Sequence, residues 1–570
     1  MKNISRRDLL RYSALGLGVA VVSTGVETFA ESELNNGENV AFLHGVASGD
    51  PLTDSVILWT RVTPQVEDVD QVAVTWEVAT DADFVNLTHY GVMTATAASD
   101  FTVKLDVQNL NANSTYYYRF KSGGSYSPVG ITKTLSEGSP EKIKFAVVTC
   151  SNYPSGHFNA YAEAAKIADL DAVLHLGDYI YEYGMGGFGT ENAEAIGRAL
   201  PDDNDEECLN LTDYRKRYAL YRTDQDLQAL HALAPFIAVW DDHEVADNTY
   251  TDGAANHNEG EGDFEQRKMA ALQAYFEWMP VRPLVEGSDI IYRSFKFGDL
   301  VDLHMLDTRI IGRNQQLDYA DFTDPTTGVF DFEGFTAALL DTNRTLLGAE
   351  QLQWLQGQLA ASTAQWQVLG QQVLMSPILL PAELLLRIGS SPEDLVVLLA
   401  ELSSIKIRML QGDDSLTEQE IARVTTVLPL NLDAWDGYVY EREVVLATAT
   451  SLGKKLVVLA GDSHNSWGSN LKDSAGNPVG VEFAVTSVSS PGLESVLSLD
   501  EDTARNIEAF LTLMVDDLQY TNVYQRGFML VTFSADKASA EWVYVDNVDS
   551  RDYVIDESRG YTMALSRDIA

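Results

Sequence analysis

Ala172-Val173-Leu174-His175-Leu176-Gly177-Asp178-Tyr179-Ile180-Tyr181-Glu182 is the stretch that decides the fold. A short apolar run closed by glycine predicts a parallel strand buried on both faces. In open α/β sheets the chemistry gathers just past the carboxyl ends of such strands. Asp178 stands at that end, with Tyr181 three residues on. Three more apolar runs follow the same plan. Ile143–Thr149 ends in Cys150-Ser151-Asn152; Pro235–Trp240 ends in Asp241-Asp242-His243-Glu244, with Asn248 soon after; Lys455–Ala460 ends in Gly461-Asp462-Ser463-His464-Asn465. Each polar group withdrawn from water must find a partner, and a metal cluster is the simplest partner common to all of them.

The chain has 570 residues, which predicts at least two domains. Its 84 acids outnumber its 39 bases, for a net charge of −45. That balance argues against a broad basic nucleic-acid surface. The acids are dispersed, so no disordered acidic tail is implied. Ser5-Arg6-Arg7-Asp8-Leu9-Leu10-Arg11 has the twin-arginine pattern, with a mild apolar run from Tyr12 to Val22 and a cleavage site at Thr28-Phe29-Ala30. Residues 1–30 therefore read as a signal peptide for the twin-arginine translocation machinery, and the mature form as periplasmic or secreted. The run is too short and too rich in Gly, Ser and Ala for an anchor, and no other stretch is apolar enough to span a bilayer.

Residues 38–135 read as an all-β sandwich of the fibronectin or immunoglobulin type. Ser55–Thr60, Gln71–Val78 and Thr115–Phe120 alternate or are β-branched and aromatic. The segment Leu110–Tyr118 resembles a tyrosine corner. Ser136-Glu137-Gly138-Ser139-Pro140 reads as a linker. Residues 141–550 then alternate strand and helix, an α/β catalytic domain whose late strands Gly480–Val485, Phe528–Phe533 and Ala540–Val545 complete a two-sheet sandwich; 551–570 is left as a tail. Helices are predicted over His157–Ala168, Thr212–Leu233, Phe264–Trp278 with Asp263 as cap, and Ala349–Leu359. Two insertions interrupt the pattern, one Gly-rich and acidic at about 183–210, one leucine-rich at about 381–428. Each is either a cover over the site or decoration on the body.

The ordered motifs Gly-Asp-x-x-Tyr, Asp-Asp-His-Glu and Gly-Asp-x-His resemble those of the calcineurin-like metallophosphoesterases. The wording is similar to one branch, the alkaline phosphatase D (PhoD-like) family: Val46-Ala47-Ser48-Gly49-Asp50-Pro51, Leu58-Trp59-Thr60-Arg61-Val62, Thr149-Cys150-Ser151, Trp240–Glu244, Leu306-Asp307-Thr308-Arg309 and Gly461–His464 all match its signatures. The resemblance runs from about residue 40 to about 550. It implies an α+β four-layer metallophosphoesterase sandwich and an exported, metal-dependent phosphoric ester hydrolase acting on small phosphate mono- or diesters. The alternative is a phospholipase D-like phosphodiesterase for lipid or cell-wall polymer diesters.

The resemblance also implies Fe³⁺ and Ca²⁺ as cofactors. The expected iron ligands are Cys150, Asp178, Tyr181 and His464. Asp178 bridges to a harder, calcium-type site of Asp241 or Asp242, Asn248 and Asp462. Thiolate and phenolate suit trivalent iron, and oxygen-only ligands suit calcium. On that resemblance the ions would lower the pKa of a bound water for in-line attack on phosphorus. Cys150 and Cys208, the two cysteines of an exported chain, offer a disulfide as the other reading of Cys150. His243 either protonates the leaving group or is structural. Arg309 either forks onto a phosphate oxygen or pairs with Asp307 or another acid. His175 and His304 lie within strands and read as core residues.

Overall fold

The computed structural model describes residues 17–19, 39–283, 289–387 and 392–566. The twin-arginine motif and the cleavage site lie outside the described residues; Leu17–Val19, within the apolar run, pairs parallel with Thr102–Gln108. No helix among the described residues is long and apolar enough to cross a membrane.

The deciding stretch forms the strand Ala172–His175, buried along its whole length. It runs parallel to Lys142–Val148 on one side and Phe236–Ala238 on the other. Beyond Lys142–Val148 the antiparallel strands Arg526–Ser534, Lys537–Val545 and Tyr561–Ser566 extend the sheet. A second, seven-stranded sheet has at its centre the parallel run Val301–Met305, Trp366–Gly370, Leu456–Ala460, Pro478–Ala484. The two sheets face each other across one core, where Phe145 meets Phe297 at 5.0 Å and Trp366 meets Phe533 at 6.3 Å between ring centroids. Helices Leu211–Tyr221, Gln225–Leu233 and Phe264–Trp278 pack against that core from the side of the larger sheet. Gly348–Ala361, Val439–Ser451 and Glu501–Met514 contribute to a second core on the far side of the smaller sheet. This is the four-layer arrangement that fully buried, non-alternating strands require, since neither sheet can leave a face in water.

The N-terminal region is all-β, as read from its alternation. Gln71–Ala79, Leu87–Thr96 and Thr115–Ser122 form one sheet. The tyrosine corner is present: the Tyr116 hydroxyl accepts the Asn111 N–H at 2.9 Å. The facing strands Val46–Gly49, Ser55–Arg61 and Thr102–Gln108, however, belong to the ten-stranded sheet itself. Gly49 pairs in parallel with Phe236, and Asp50 N–H donates to the Phe236 carbonyl at 3.0 Å. The sandwich and the catalytic body thus share one sheet. Asp50 locks the seam. Its carboxylate takes the fork of Arg293 at 2.6 and 2.8 Å and the Arg282 N–H at 2.7 Å. The 136–140 segment is docked too, with Gly138 O accepting Asp299 N–H at 2.8 Å.

Local differences from the sequence reading have local causes. The expected helix over 212–233 is two helices. Asn210 caps the first in a capping box, and Asp224 caps the second by accepting the N–H groups of Asp226 and Leu227. Residues 551–566, the described part of the expected tail, are not free: Tyr561–Ser566 adds a strand, with Tyr561 stacked on Tyr520 at 4.1 Å. The leucine-rich insertion closes at its base, where Leu379–Pro381 pairs with Val427–Pro429. Its helix Pro392–Leu410 buries Leu398, Leu402 and Ile405 in the second core, and Lys406 reaches Asp516 at 2.8 Å. It is docked on the flank of the body.

Asp50→Ala leaves Arg293 buried without a counter-charge. Removing one member of a buried ion pair costs about 3–5 kcal/mol, so the urea midpoint of this variant should fall markedly, while activity per folded molecule is kept because the seam lies outside the site.

Candidate metal centre and active site

The four strand ends converge. Backbone geometry explains how residues so close in sequence to buried strands turn their side chains to one point. Cys150, Asp178, Asn248, Asp462 and His464 all have positive φ, from 54° to 60°. Non-glycine residues seldom adopt this conformation, and it collects at functional sites where the surroundings hold it. Two glycines let the loops touch. A Cβ on Gly177 would sit 2.3 Å from Asp241 Cβ, and one on Gly461 would sit 2.5 Å from Thr149 Oγ1.

One buried carboxylate ties two of these loops together. Glu244 accepts N–H groups from Asp178 at 3.0 Å, Tyr179 at 2.6 Å and Asp241 at 2.6 Å. Burial first, then the neighbouring Asp178 carboxylate, push its pKa up to about 8 against those three bonds. Glu244 closes the Asp-Asp-His-Glu motif, yet the sequence reading gave it no role.

The first cluster holds Cys150, Asp178 and His464, whose ligating atoms lie within 4.8 Å of one another. The Tyr181 hydroxyl joins them, 3.0 Å from Asp178 Oδ2 and 3.0 Å from His464 Nε2. His464 Nδ1 lies 2.6 Å from the Pro491 carbonyl, which fixes the proton there and leaves Nε2 as the free donor atom. Burial, then Asp178, raise the pKa values of the Cys150 thiol and the Tyr181 phenol. Cys150 and Cys208 are both free and buried, so the disulfide reading falls.

The second cluster holds Asp241, Asp242 and Asp462, again within 4.8 Å, and Asp178, Asp242 and His243 form a further group within the same limit. Asp178 therefore stands between the groups. Asn248 enters through its backbone N–H, 2.6 Å from Asp242 Oδ2. Asp241 and Asp242 both belong here. Burial pushes Asp462 up to about 8, with Arg309 opposing and other carboxylates reinforcing.

Arg309 takes the ion-pair alternative. Its guanidinium is fully buried, with Nε 2.5 Å from Asp241, Nη2 2.7 Å from Asp462 and Nη1 2.7 Å from Asp433. The Asp307 carboxylate instead accepts the backbone N–H groups of Arg309 and Ile310. Asp433, shared with Arg313, comes from the loop after the leucine-rich insertion, and no motif announced it.

His243 donates from Nδ1 to the Glu182 carboxylate, 2.7 Å away, and stacks on Tyr181 at 4.2 Å. Burial opposes its charge, but Asp242, Glu182 and Asp178 outweigh burial and raise its pKa well above the usual value. The Gly-rich insertion forms one wall. Phe188 stacks on His464 at 5.8 Å, and Arg217 holds the segment by donating to the carbonyls of Tyr181, Tyr183 and Glu206. His175 and His304 are core residues as expected, bonded to Tyr161 at 2.9 Å and Ser294 at 2.7 Å.

The donor set fits metal ions. Asp241 Oδ2 and Asp242 Oδ1 are buried with no hydrogen-bond partner, a costly state for carboxylate oxygens unless a cation meets them. Two facing sheets that deliver thiol, phenol, imidazole and carboxylate groups from their strand ends define a metallophosphoesterase, a hydrolase of phosphoric esters. A family profile described as PhoD-like phosphatase matches residues 145–542, and the N-terminal domain of the same family matches 28–136. Alkaline phosphatase D of Bacillus subtilis (strain 168) is 35% identical over 497 residues, spanning 85% of this chain and 75% of that protein. A solved structure described as PhoD superposes with a TM-score of 0.72 at 31% identity, covering 92% of this chain and 91% of the other. The chain belongs to the PhoD-like phosphatase family.

Glu244→Gln turns an amide NH₂ toward backbone donors and strands at least one of them. The loss should be about 1–3 kcal/mol, seen as a lowered unfolding midpoint, together with fewer metal ions per chain by elemental analysis.

Proposed function

We propose that this chain hydrolyses small phosphoric mono- and diesters outside the cytoplasm with two unlike ions. Cys150, Asp178, Tyr181 and His464 would hold ferric iron; Asp241, Asp242 and Asp462, with Asn248 and the shared Asp178, would hold calcium. The observation that carries this reading is the division of donors. Thiol, phenol and imidazole meet on one side of Asp178; on the other meet the carboxylates of Asp241, Asp242 and Asp462, with the His243 ring beside Asp178 and Asp242. Soft and phenolic donors favour iron(III), and a carboxylate cage favours a hard cation. When bound, the ions supply positive charge for the phosphoryl group and acidify a water.

The protein groups divide the remaining work. His243, its Nδ1 bonded to Glu182, would give a proton from its other ring nitrogen to the leaving oxygen. Arg309 holds Asp241 and Asp462 in place; a substrate oxygen would have to displace a carboxylate to reach its guanidinium. Phe188 and the loop behind it exclude water from the side of His464. The twin-arginine leader supports export through the folded-protein translocation machinery to the periplasm or beyond.

A calcium-selective chelator should abolish hydrolysis of a chromogenic phosphate ester while visible thiolate- and phenolate-to-iron absorption persists. Calcium should restore turnover. Restoration by zinc alone, or an active enzyme without iron, overturns the assignment.

A further inference from the structure

Buried arginines in this protein have acceptors. Arg293 has Asp50, Arg267 has Glu207, and Arg309 has its carboxylates. Arg217 lacks a carboxylate but makes five hydrogen bonds to carbonyl and amide oxygens. Arg222 departs from this pattern. It is fully buried, at the carboxyl end of the helix Leu211–Tyr221, and its single hydrogen bond is from Nη1 to the Tyr179 hydroxyl at 3.3 Å. Its Nε and Nη2 are buried without a partner.

Among the described residues no carboxylate forms an ion pair with this guanidinium; its contacts are a hydroxyl and an aromatic face. The guanidinium lies 4.1 Å over the ring of Trp59, which comes from the strand Ser55–Arg61. The Tyr179 oxygen accepts from Arg222, and its own proton has His231 Nε2, 2.9 Å away, as acceptor. His231 then carries its proton on Nδ1, which is also buried and unpartnered. His44, lying edge-on to Trp278 at 5.3 Å, has a bare buried Nδ1 as well. Burial and then Arg charge keep both histidines neutral, His44 at about 3. A cation–π contact recovers only part of what burying an unpaired charge costs. The bare N–H groups of Arg222 and His231, around a guanidinium with no ion-pair partner, call for a ligand that only accepts and that carries negative charge.

We propose that Arg222 anchors a buried binding site for a small monovalent inorganic anion, at the seam between the Trp59 strand and the catalytic body. The site is distinct from the metal clusters but tied to them through one residue. Tyr179 offers its hydroxyl to Arg222 and its N–H to Glu244. An anion here would stiffen the loop that carries Asp178.

Bromide is the probe. Crystals of the full chain, exchanged from chloride into bromide, should give an anomalous peak in contact with Nε and Nη2 of Arg222. In solution, replacing gluconate by chloride at constant ionic strength should raise the unfolding midpoint of the wild type with the logarithm of concentration, and Arg222→Met should lose that dependence. Constant ionic strength separates binding from screening of the acidic surface. Water alone at Arg222 in the bromide crystals overturns the proposal. So does an equal chloride response in the two proteins. If Arg222→Met fails to fold, the bromide density decides alone. Neither readout depends on which metals the catalytic site holds.

Discussion

Three backbone N–H groups, from Asp178, Tyr179 and Asp241, end on one carboxylate, that of Glu244. The contact sets how far apart two strand ends of the larger sheet can be. Parallel strands cannot bond one another past their last residues, and the N–H groups there must find other acceptors or remain costly. Glu244 supplies that acceptor from within the motif it positions. With the loops so held, Asp178 keeps its positive φ and lies among the Cys150, Asp242, His243 and His464 side chains. Gly177 then allows the neighbouring Asp241 loop of the same sheet to close in, and Gly461 allows a loop of the smaller sheet to touch Thr149 of the larger. The site is thus a property of the sheet ends, and both sheets are needed to build it.

Electrostatics follows from that convergence. Asp241, Asp242, Asp462 and Asp433 share the single guanidinium of Arg309, with Arg313 reaching Asp433. One or two arginines cannot balance so many carboxylates in a water-poor interior. The imbalance shows in opposite shifts among neighbours: burial raises Asp241 and Asp462, while Arg309 and His243 bring Asp242 below its usual range despite burial. Such a cluster is strained without more positive charge, which is the physical basis for a phosphoester hydrolase built on bound cations. The same logic, with the sign reversed, applies at Arg222.

The strands and their terminal residues were legible because each buried strand is a short apolar run that ends where costly polar groups begin. The residue types at Cys150, Asp178, Tyr181, Asp241, Asp242, Asp462 and His464 declared metal chemistry, and the structure brings these side chains together. What stayed hidden was non-local or conformational. Nothing in the sequence tells that Gly49 pairs with Phe236, so the sheet that runs through both domains was not foreseen. Val46–Pro51 matched the family's signatures with no role attached, and Asp50 within it locks that seam to Arg293. Asp433 reaches Arg309 from a loop without a pattern. Positive φ at non-glycine residues has no sequence signal, since Cys, His and Asp are chosen there for their side chains.

Diffraction from crystals of the metal-loaded enzyme, collected on both sides of the iron absorption edge, tests the central claim most directly. The account predicts an edge-dependent peak bounded by Cys150, Asp178, Tyr181 and His464, and a second ion, insensitive to that edge, among Asp241, Asp242 and Asp462. An active enzyme with no iron signal beside Cys150, or with the carboxylate cluster empty of any cation, would contradict it.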